Sequence, residues 1–220
     1  MTLSAIVLAG GNARRLGGAS KPDLIVGEDT LLDLTLAACA AVQASPVVVV
    51  GPDSLARDGI LVTSEDPPGG GPAAGVAAGL ESLASLVGDA DGFDPEDLIL
   101  CLACDMPNAA DAVQALVEAA TARVSEDEDS TMDGRTVDGA WVVDDIGRHQ
   151  PLLAVYRAQS LMHAVKALPQ LTGASMSDLT YELVMAPVLG LHGVSDDIDT
   201  WQDADRWGAR PWPSRLGEES

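Results

Sequence analysis

The chain has 220 residues, 47% of them hydrophobic and 21% charged, which is enough apolar material to bury one substantial α/β core. Its formal net charge of −22, with 12 lysines and arginines against 34 acidic residues, excludes a nucleic-acid-binding surface, because a phosphate backbone demands a basic one. With no basic leader and no apolar run of bilayer length, the expectation is a cytoplasmic protein of one domain over residues 1–220, without membrane contact.

Ser4-Ala5-Ile6-Val7-Leu8 has the length and branched apolar content of a buried central strand. Leu8, Ala9, Gly10 and Gly11 therefore fall at its carboxyl end, where open α/β sheets bind ligands. Glycines there let backbone N–H groups approach phosphate oxygens. Arg14 and Arg15 can donate forked hydrogen bonds to phosphates, and Lys21 supplies a compact ammonium suited to charge that develops in phosphoryl transfer. Taken alone, the stretch also suits a glycine-rich turn with surface arginines. Against that, three of the chain's few cations crowd into it, which solubility does not require. Its spacing fits neither the Walker loop nor the dinucleotide fingerprint.

Thr30-Leu31-Leu32-Asp33 reads as a capping box that opens an alanine-rich helix to about Ala44, and Pro46 precedes a buried strand at Val47-Val48-Val49-Val50. A short strand at Ile60-Leu61-Val62-Thr63 follows, then helical composition from Ala73 to Val87, a strand from Leu98 to Leu102, and a helix from Ala109 to Val124. Ser125-Glu126-Asp127-Glu128-Asp129-Ser130 marks an acidic mobile loop around residues 124–138. Beyond it, Ala140-Trp141-Val142-Val143 and Leu152-Leu153-Ala154-Val155-Tyr156 flank a polar turn and suggest an antiparallel element. This alternation predicts a three-layer α/β/α sandwich around a mostly parallel, Rossmann-like sheet with a small antiparallel element. Cys39, Cys101 and Cys104 are odd in number, and Cys101 and Cys104 point to opposite faces of a strand, so buried structural thiols are expected rather than a disulfide or metal site.

Asp105, directly after a buried strand, should project into the same cleft as the first loop, as a magnesium ligand or as a helix N-cap. In Glu65-Asp66-Pro67-Pro68-Gly69-Gly70-Gly71-Pro72-Ala73-Ala74-Gly75, glycines can bring backbone close to a base or ribose, and Asp66 can accept hydrogen bonds from either; a plain flexible loop is the other reading. Pro72 suits the first turn of the helix that follows.

Leu8-Ala9-Gly10-Gly11, followed by Arg14, Arg15, Gly17 and Lys21, resembles the signature of nucleotidyltransferases of glycosyltransferase-A-like fold, and within them molybdenum cofactor guanylyltransferases, which transfer GMP from GTP to molybdopterin. Cys104-Asp105-Met106-Pro107 is similar to their Cys-Asp-x-Pro, and the Glu65–Gly75 stretch to their acidic pair before Gly-Pro-x-Ala-Gly. Gly147-Arg148-His149-Gln150-Pro151 resembles the start of their substrate-side strand, with His149 near the acceptor or in a plain surface role; Asp197-Ile198-Asp199-Thr200 resembles their C-terminal segment.

The resemblance implies Lys21, Arg15 and Asp105 as catalytic residues. It implies nucleotide contacts from Leu8, Ala9, Gly10, Gly11, Arg14, Lys21, Asp66, Gly71, Gly75 and Asp105, and Mg²⁺ held by Asp105 and Asp199, unless the last lies in a plain acidic turn before a short helix. It implies GTP and molybdopterin or molybdenum cofactor as substrates, with a molybdoenzyme or cofactor-biosynthesis protein as partner. The chain departs from the pattern at Gly173-Ala174-Ser175-Met176-Ser177-Asp178, which lacks the usual basic residue, and at Val50, where some members place a polar residue. A related cytidylyl- or sugar-phosphate nucleotidyltransferase, or a catalytically degraded nucleotide-binding regulator, would share the loop.

Overall fold

The structure of the protein is a computed structural model that describes residues 1–10, 20–87, 92–122 and 137–211. In chain order come β1 (Leu3–Leu8), a hairpin of β2 (Ile25–Val26) and β3 (Asp29–Thr30), α1 (Leu31–Ala41), β4 (Val47–Val50), β5 (Leu61–Thr63) and α2 (Pro72–Val87). They are followed by β6 (Leu98–Ala103), α3 (Ala110–Thr121), β7 (Gly139–Val143), β8 (His149–Arg157), α4 (Ala158–Ala167), α5 (Met176–Thr180), β9 (Met185–Val188) and α6 (Trp201–Arg206).

Alternation along the central strands assigns each side chain to one of two cores. Ala5 and Val7 of β1 share one core with Val47, Val49, Leu98 and Leu100, whereas Ile6 faces the other with Val48, Val50 and Ile99. Because both sheet faces are covered, these strands read as unbroken apolar runs instead of alternating polar and apolar positions. Helices α1, α3 and α6 close the first core; α2, α4 and α5 close the second. The result is the predicted three-layer sandwich. Cys101 faces one core and Cys104 the other, so the sheet separates the two thiols. Burial pushes the Cys39 and Cys104 thiols up to about 12 and raises Cys101 as well, leaving all three unreactive.

The seven strands run in the order β5-β4-β1-β6-β8-β7-β9. β5, β4, β1 and β6 are mutually parallel; β8 is antiparallel to both β6 and β7, and β9 is parallel to β7. Within this seven-stranded sheet β8 is thus the one reversed strand. The carboxyl ends of the other six and the start of β8 meet along a single sheet edge, which gathers Gly10, Gly51, Asp105 and His149.

Local chemistry explains most boundaries. The Thr30 side chain accepts from the Asp33 backbone N–H, capping α1 as expected, although the helix ends at Ala41, before Ala44. α2 lies close on β1 because its contact positions are glycines: a Cβ on Gly79 would stand 2.7 Å from Ile6 Cγ2, and one on Gly75 would stand 3.1 Å from Leu8 Cδ2. β9 carries Pro187, which an edge strand tolerates because one side of its backbone has no strand to bond. Arg157 and Asp138 tie the sheet's second half together: Asp138 accepts from Ser160 Oγ and from the Val184 N–H, and the Arg157 side chain donates to the Val137 carbonyl. Val137 and Asp138 are therefore built into the fold, while the rest of the expected acidic loop, 124–136, lies outside the described residues. Among the described residues, no helix is long and apolar enough to cross a membrane.

Candidate functional site

Two structures share the carboxyl edge of the sheet. The first is a cleft of about 660 Å³ over the ends of β1 and β4, bounded by Leu8, Gly10, Val50 and Gly51 on one side and by Glu65, Gly71 and Gly75 on the other. Its walls are mostly backbone and aliphatic carbon. Ala9 N–H donates to the Val50 carbonyl at 2.9 Å and Gly51 N–H to the Thr63 carbonyl at 2.8 Å, which continues the strand pairing past the strand ends and holds the cleft floor. Gly71, at φ +94°, adopts a left-handed conformation that a side chain would strain. Gly173 N–H donates to the Gly70 carbonyl at 2.7 Å, tying this turn to the segment before α5. In that segment Ser175 and Asp178 form a capping box, so Asp178 serves the helix.

The second structure is a charged centre on the other face of the same edge. Lys21 Nζ donates to Asp105 Oδ2 at 2.6 Å and to Asp199 Oδ1 at 2.5 Å. Asp197 completes a group in which one oxygen from each of Asp105, Asp197 and Asp199 lies within 4.8 Å of the others. Three segments hold the four members. Lys21 opens a single 3₁₀ turn, Lys21–Asp23, with Pro22 buried behind it. Asp105 follows β6, where Cys104 N–H donates to the Leu8 carbonyl and the Asp105 carbonyl accepts from Ile198 N–H, both at 3.0 Å. Ile198 is fully buried between the two aspartates, and Thr200 and Asp203 form the capping box of α6 just beyond Asp199. Asp105 is not the cap of α3, whose N-cap position is Ala109.

Electrostatics follow from this crowding. Burial works against the Lys21 charge, but Asp105 and then Asp199 outweigh it and hold the ammonium above its ordinary range. Burial, and then the neighbouring charges of Asp199 and Asp105, raise the Asp197 carboxyl above the usual carboxylate range. Three acidic oxygens so close form a donor set suited to a hard divalent cation.

Of the residues expected at a site, the structure brings Leu8, Gly10, Gly71 and Gly75 together in the cleft, and Lys21, Asp105 and Asp199 in the charged centre. Ala9 is buried beneath the cleft. Asp66 is exposed; its neighbour Glu65 lines the cleft and accepts from Gly69 N–H at 3.0 Å. Gly11, Arg14 and Arg15 lie outside the described residues. Asp197 was missed as a site residue. The signal was available, because Asp197 and Asp199 flank one apolar residue and a buried Ile198 forces both toward the solvent side. Trp141 neighbours His149, the residue expected on the acceptor side. Its ring stacks on that of His149, centroids 4.4 Å apart at 19°, and it packs on the α2 face of the sheet, the face that bears Leu8 and Val50.

The MobA-like NTP transferase domain matches residues 5–183 of the chain. A molybdenum cofactor guanylyltransferase from Bradyrhizobium sp. (strain ORS 278) is 40% identical over 84 residues, 36% of this chain and 39% of the relative. One from Acidiphilium cryptum (strain JF-5) is 41% identical over 107 residues, covering 44% and 54%. These matches thus span about two fifths to one half of the curated relatives' length. The solved molybdopterin-guanine dinucleotide biosynthesis protein A from Archaeoglobus fulgidus superposes with a TM-score of 0.60 at 18% identity, covering 93% of this chain and 96% of that one, a likeness of fold. The apolar cleft, the lysine–carboxylate centre and the family match over residues 5–183 together place the chain in the family of MobA-like NTP transferase domains.

Proposed function

We propose that the protein transfers GMP from GTP to the phosphate of molybdopterin, with Mg²⁺ and with release of pyrophosphate. The observation that carries this reading is the meeting of Lys21 with Asp105, Asp197 and Asp199 on the edge that also bears the glycine-walled cleft. The names of the two curated relatives support guanylyl transfer to a molybdenum cofactor. In this reading the base and ribose lie in the cleft, against Leu8, Val50 and Gly75, and Gly10 lets the backbone approach the phosphates.

An acceptor phosphate oxygen attacks the α-phosphorus. A new P–O bond forms, the bond between the α-phosphorus and the bridging oxygen breaks, and pyrophosphate leaves with that electron pair. The acceptor is already an anion, so no side-chain nucleophile is needed and catalysis consists of alignment and charge neutralisation. Asp105, Asp199 and Asp197 would hold the divalent ion, which supplies Lewis-acid neutralisation of phosphate charge. Lys21 bears on the transferring phosphate. The acceptor lies over β6 and β8, where Leu152, Trp141 and His149 line the same sheet face.

The test is pyrophosphate release with each of the four nucleoside triphosphates in turn, with Mg²⁺ and molybdopterin. GTP is expected to exceed the others by at least about tenfold in kcat/KM. Turnover with CTP instead would make the enzyme a cytidylyltransferase, and tight nucleotide binding without any release would make it a nucleotide-binding regulator.

A further inference from the structure

Lys21 occupies the place where the carboxylate centre would hold its metal. Its ammonium has three N–H donors, and two of them are spent on Asp105 and Asp199, at 2.6 and 2.5 Å. The side chain is only 21% exposed, so the pair with Asp105 is not a loose surface contact. The carboxylates are fixed independently of Lys21, by the bond from Ile198 N–H to the Asp105 carbonyl and by the capped start of α6. A lysine so placed neutralises part of a three-carboxylate cluster whose members would otherwise repel one another.

We infer that Lys21 is a resident cation of this centre, exchanged for the divalent ion only when a triphosphate is present to receive the ammonium. The inference rests on reading the site as a nucleotidyltransferase centre. A divalent ion about 2.1 Å from the oxygens that now bind Lys21 would lie within about 5 Å of the ammonium, and the two like charges repel strongly in a partly dehydrated site. The ion must therefore expel Lys21. Without nucleotide, the expelled ammonium gives up its pairs with Asp105 and Asp199 and gains no phosphate in return, and the exchange is unfavourable. With a triphosphate present, the flexible lysine stem can swing its charge onto the phosphates while the ion takes the carboxylates. Metal and nucleotide then strengthen each other's binding through Lys21, beyond their direct coordination, and a free ion does not trap the empty enzyme. Lys21 thereby acts as a positioning residue before it meets the substrate.

The experiment measures Mn²⁺ binding to the full chain without nucleotide, by calorimetry and by the electron paramagnetic resonance of free Mn²⁺, for wild type, Lys21→Met and Lys21→Arg. Lys21→Met, which removes the charge and keeps the length, is expected to bind Mn²⁺ about tenfold more tightly than wild type, and Lys21→Arg no more tightly. Adding a non-hydrolysable GTP analogue should tighten Mn²⁺ on the wild type by a larger factor than on Lys21→Met. Equal or weaker Mn²⁺ binding by Lys21→Met would overturn the exchange. If Lys21→Met fails to fold, the ¹⁵N signal of the Lys21 ammonium in wild type decides, since Lys166 is the only other lysine. That signal should hold its position in Mg²⁺ alone and move when the GTP analogue is added; movement in Mg²⁺ alone would overturn the inference. The Mn²⁺ arms need no nucleotide, so the two readings fail separately. A tighter Lys21→Met whose wild type responds to another triphosphate but not to the GTP analogue refutes guanylyl specificity and keeps the exchange; no response to any triphosphate, or a response without tightening, refutes the exchange.

Discussion

The cleft beside α2 and the centre beside α6 share one sheet edge yet are made of opposite materials. Among the described lining residues of the cleft, Glu65 is the one ionisable side chain, and the walls are glycine, proline, Leu8 and Val50. The centre, by contrast, is made almost wholly of charge: one ammonium and three carboxylates. A cleft of that kind recognises by shape and by backbone groups, so it responds to added volume. The charged centre responds to a lost charge even when shape is kept. In a chain of net charge −22, a wall with a single carboxylate repels an anion less than the rest of the surface does, while three of the 34 acidic residues meet in the centre around one ammonium.

Substitutions that change charge without shape, or shape without charge, break this contrast or sharpen it. The largest effect is expected from Asp105→Asn, which keeps the outline and removes one full charge from the centre. Activity should fall by about a hundred- to a thousandfold, while the melting temperature stays within about 2 °C of wild type. Raised Mg²⁺ or Mn²⁺ should restore part of the loss. Full activity at limiting Mg²⁺ would remove Asp105 from the proposed chemistry.

Gly75→Ala makes the opposite change in the cleft, adding volume and no charge. Its new Cβ would stand 3.1 Å from Leu8 Cδ2, so the Leu8 side chain, which lines the cleft, must give by a few tenths of an ångström. Steady-state kinetics should show the nucleotide KM raised about three- to tenfold with kcat nearly unchanged, the pattern of lost ground-state binding. A drop in kcat with unaltered KM would mean that the cleft wall takes part in the chemistry and is more than a shape.

Asp197→Asn should give the smallest and least intuitive effect, a gain in stability. Burial and the charges of Asp199 and Asp105 raise the Asp197 carboxyl, so ionising it costs the native state. The sign is the reverse of a salt-bridged aspartate: the cost is absent below the ordinary carboxylate range, enters as pH rises through that range, and is complete at neutrality. Because Asp197 is partly solvated, the gain is modest, about 1–3 °C in melting temperature at pH 7, vanishing below about pH 4. Mn²⁺ affinity should fall in the same variant. A lower melting temperature at pH 7 would mean that the attraction of Lys21 outweighs the repulsion from the neighbouring carboxylates.

The architecture was legible wherever burial on both faces left an unbroken apolar run. β1, β4 and β6 needed only their branched and aliphatic residues, and the Thr30 cap and Pro72 start needed only local hydrogen-bond and φ chemistry. α4, α5 and β9 were not legible. Met185-Ala186-Pro187-Val188 is too short and carries a proline that only its edge position permits, and α5 is a single capped turn whose stability comes from packing Met176 and Leu179 on the sheet.

The sequence by itself determined the local chemistry: which strands are buried, which turns need glycine, and that a lysine, an aspartate after a strand and an Asp-x-Asp segment are present. Only the tertiary structure decided that Lys21, Asp105 and Asp199 meet within hydrogen-bonding distance across separations of 84 and 178 residues. Composition and periodicity are local properties, whereas that meeting depends on the crossover order of the sheet and on Ile198 being buried beside Asp105. The exposure of Asp66 beside a cleft-lining Glu65 was settled in the same way, because two adjacent acidic residues look alike in sequence until the turn that carries them is packed.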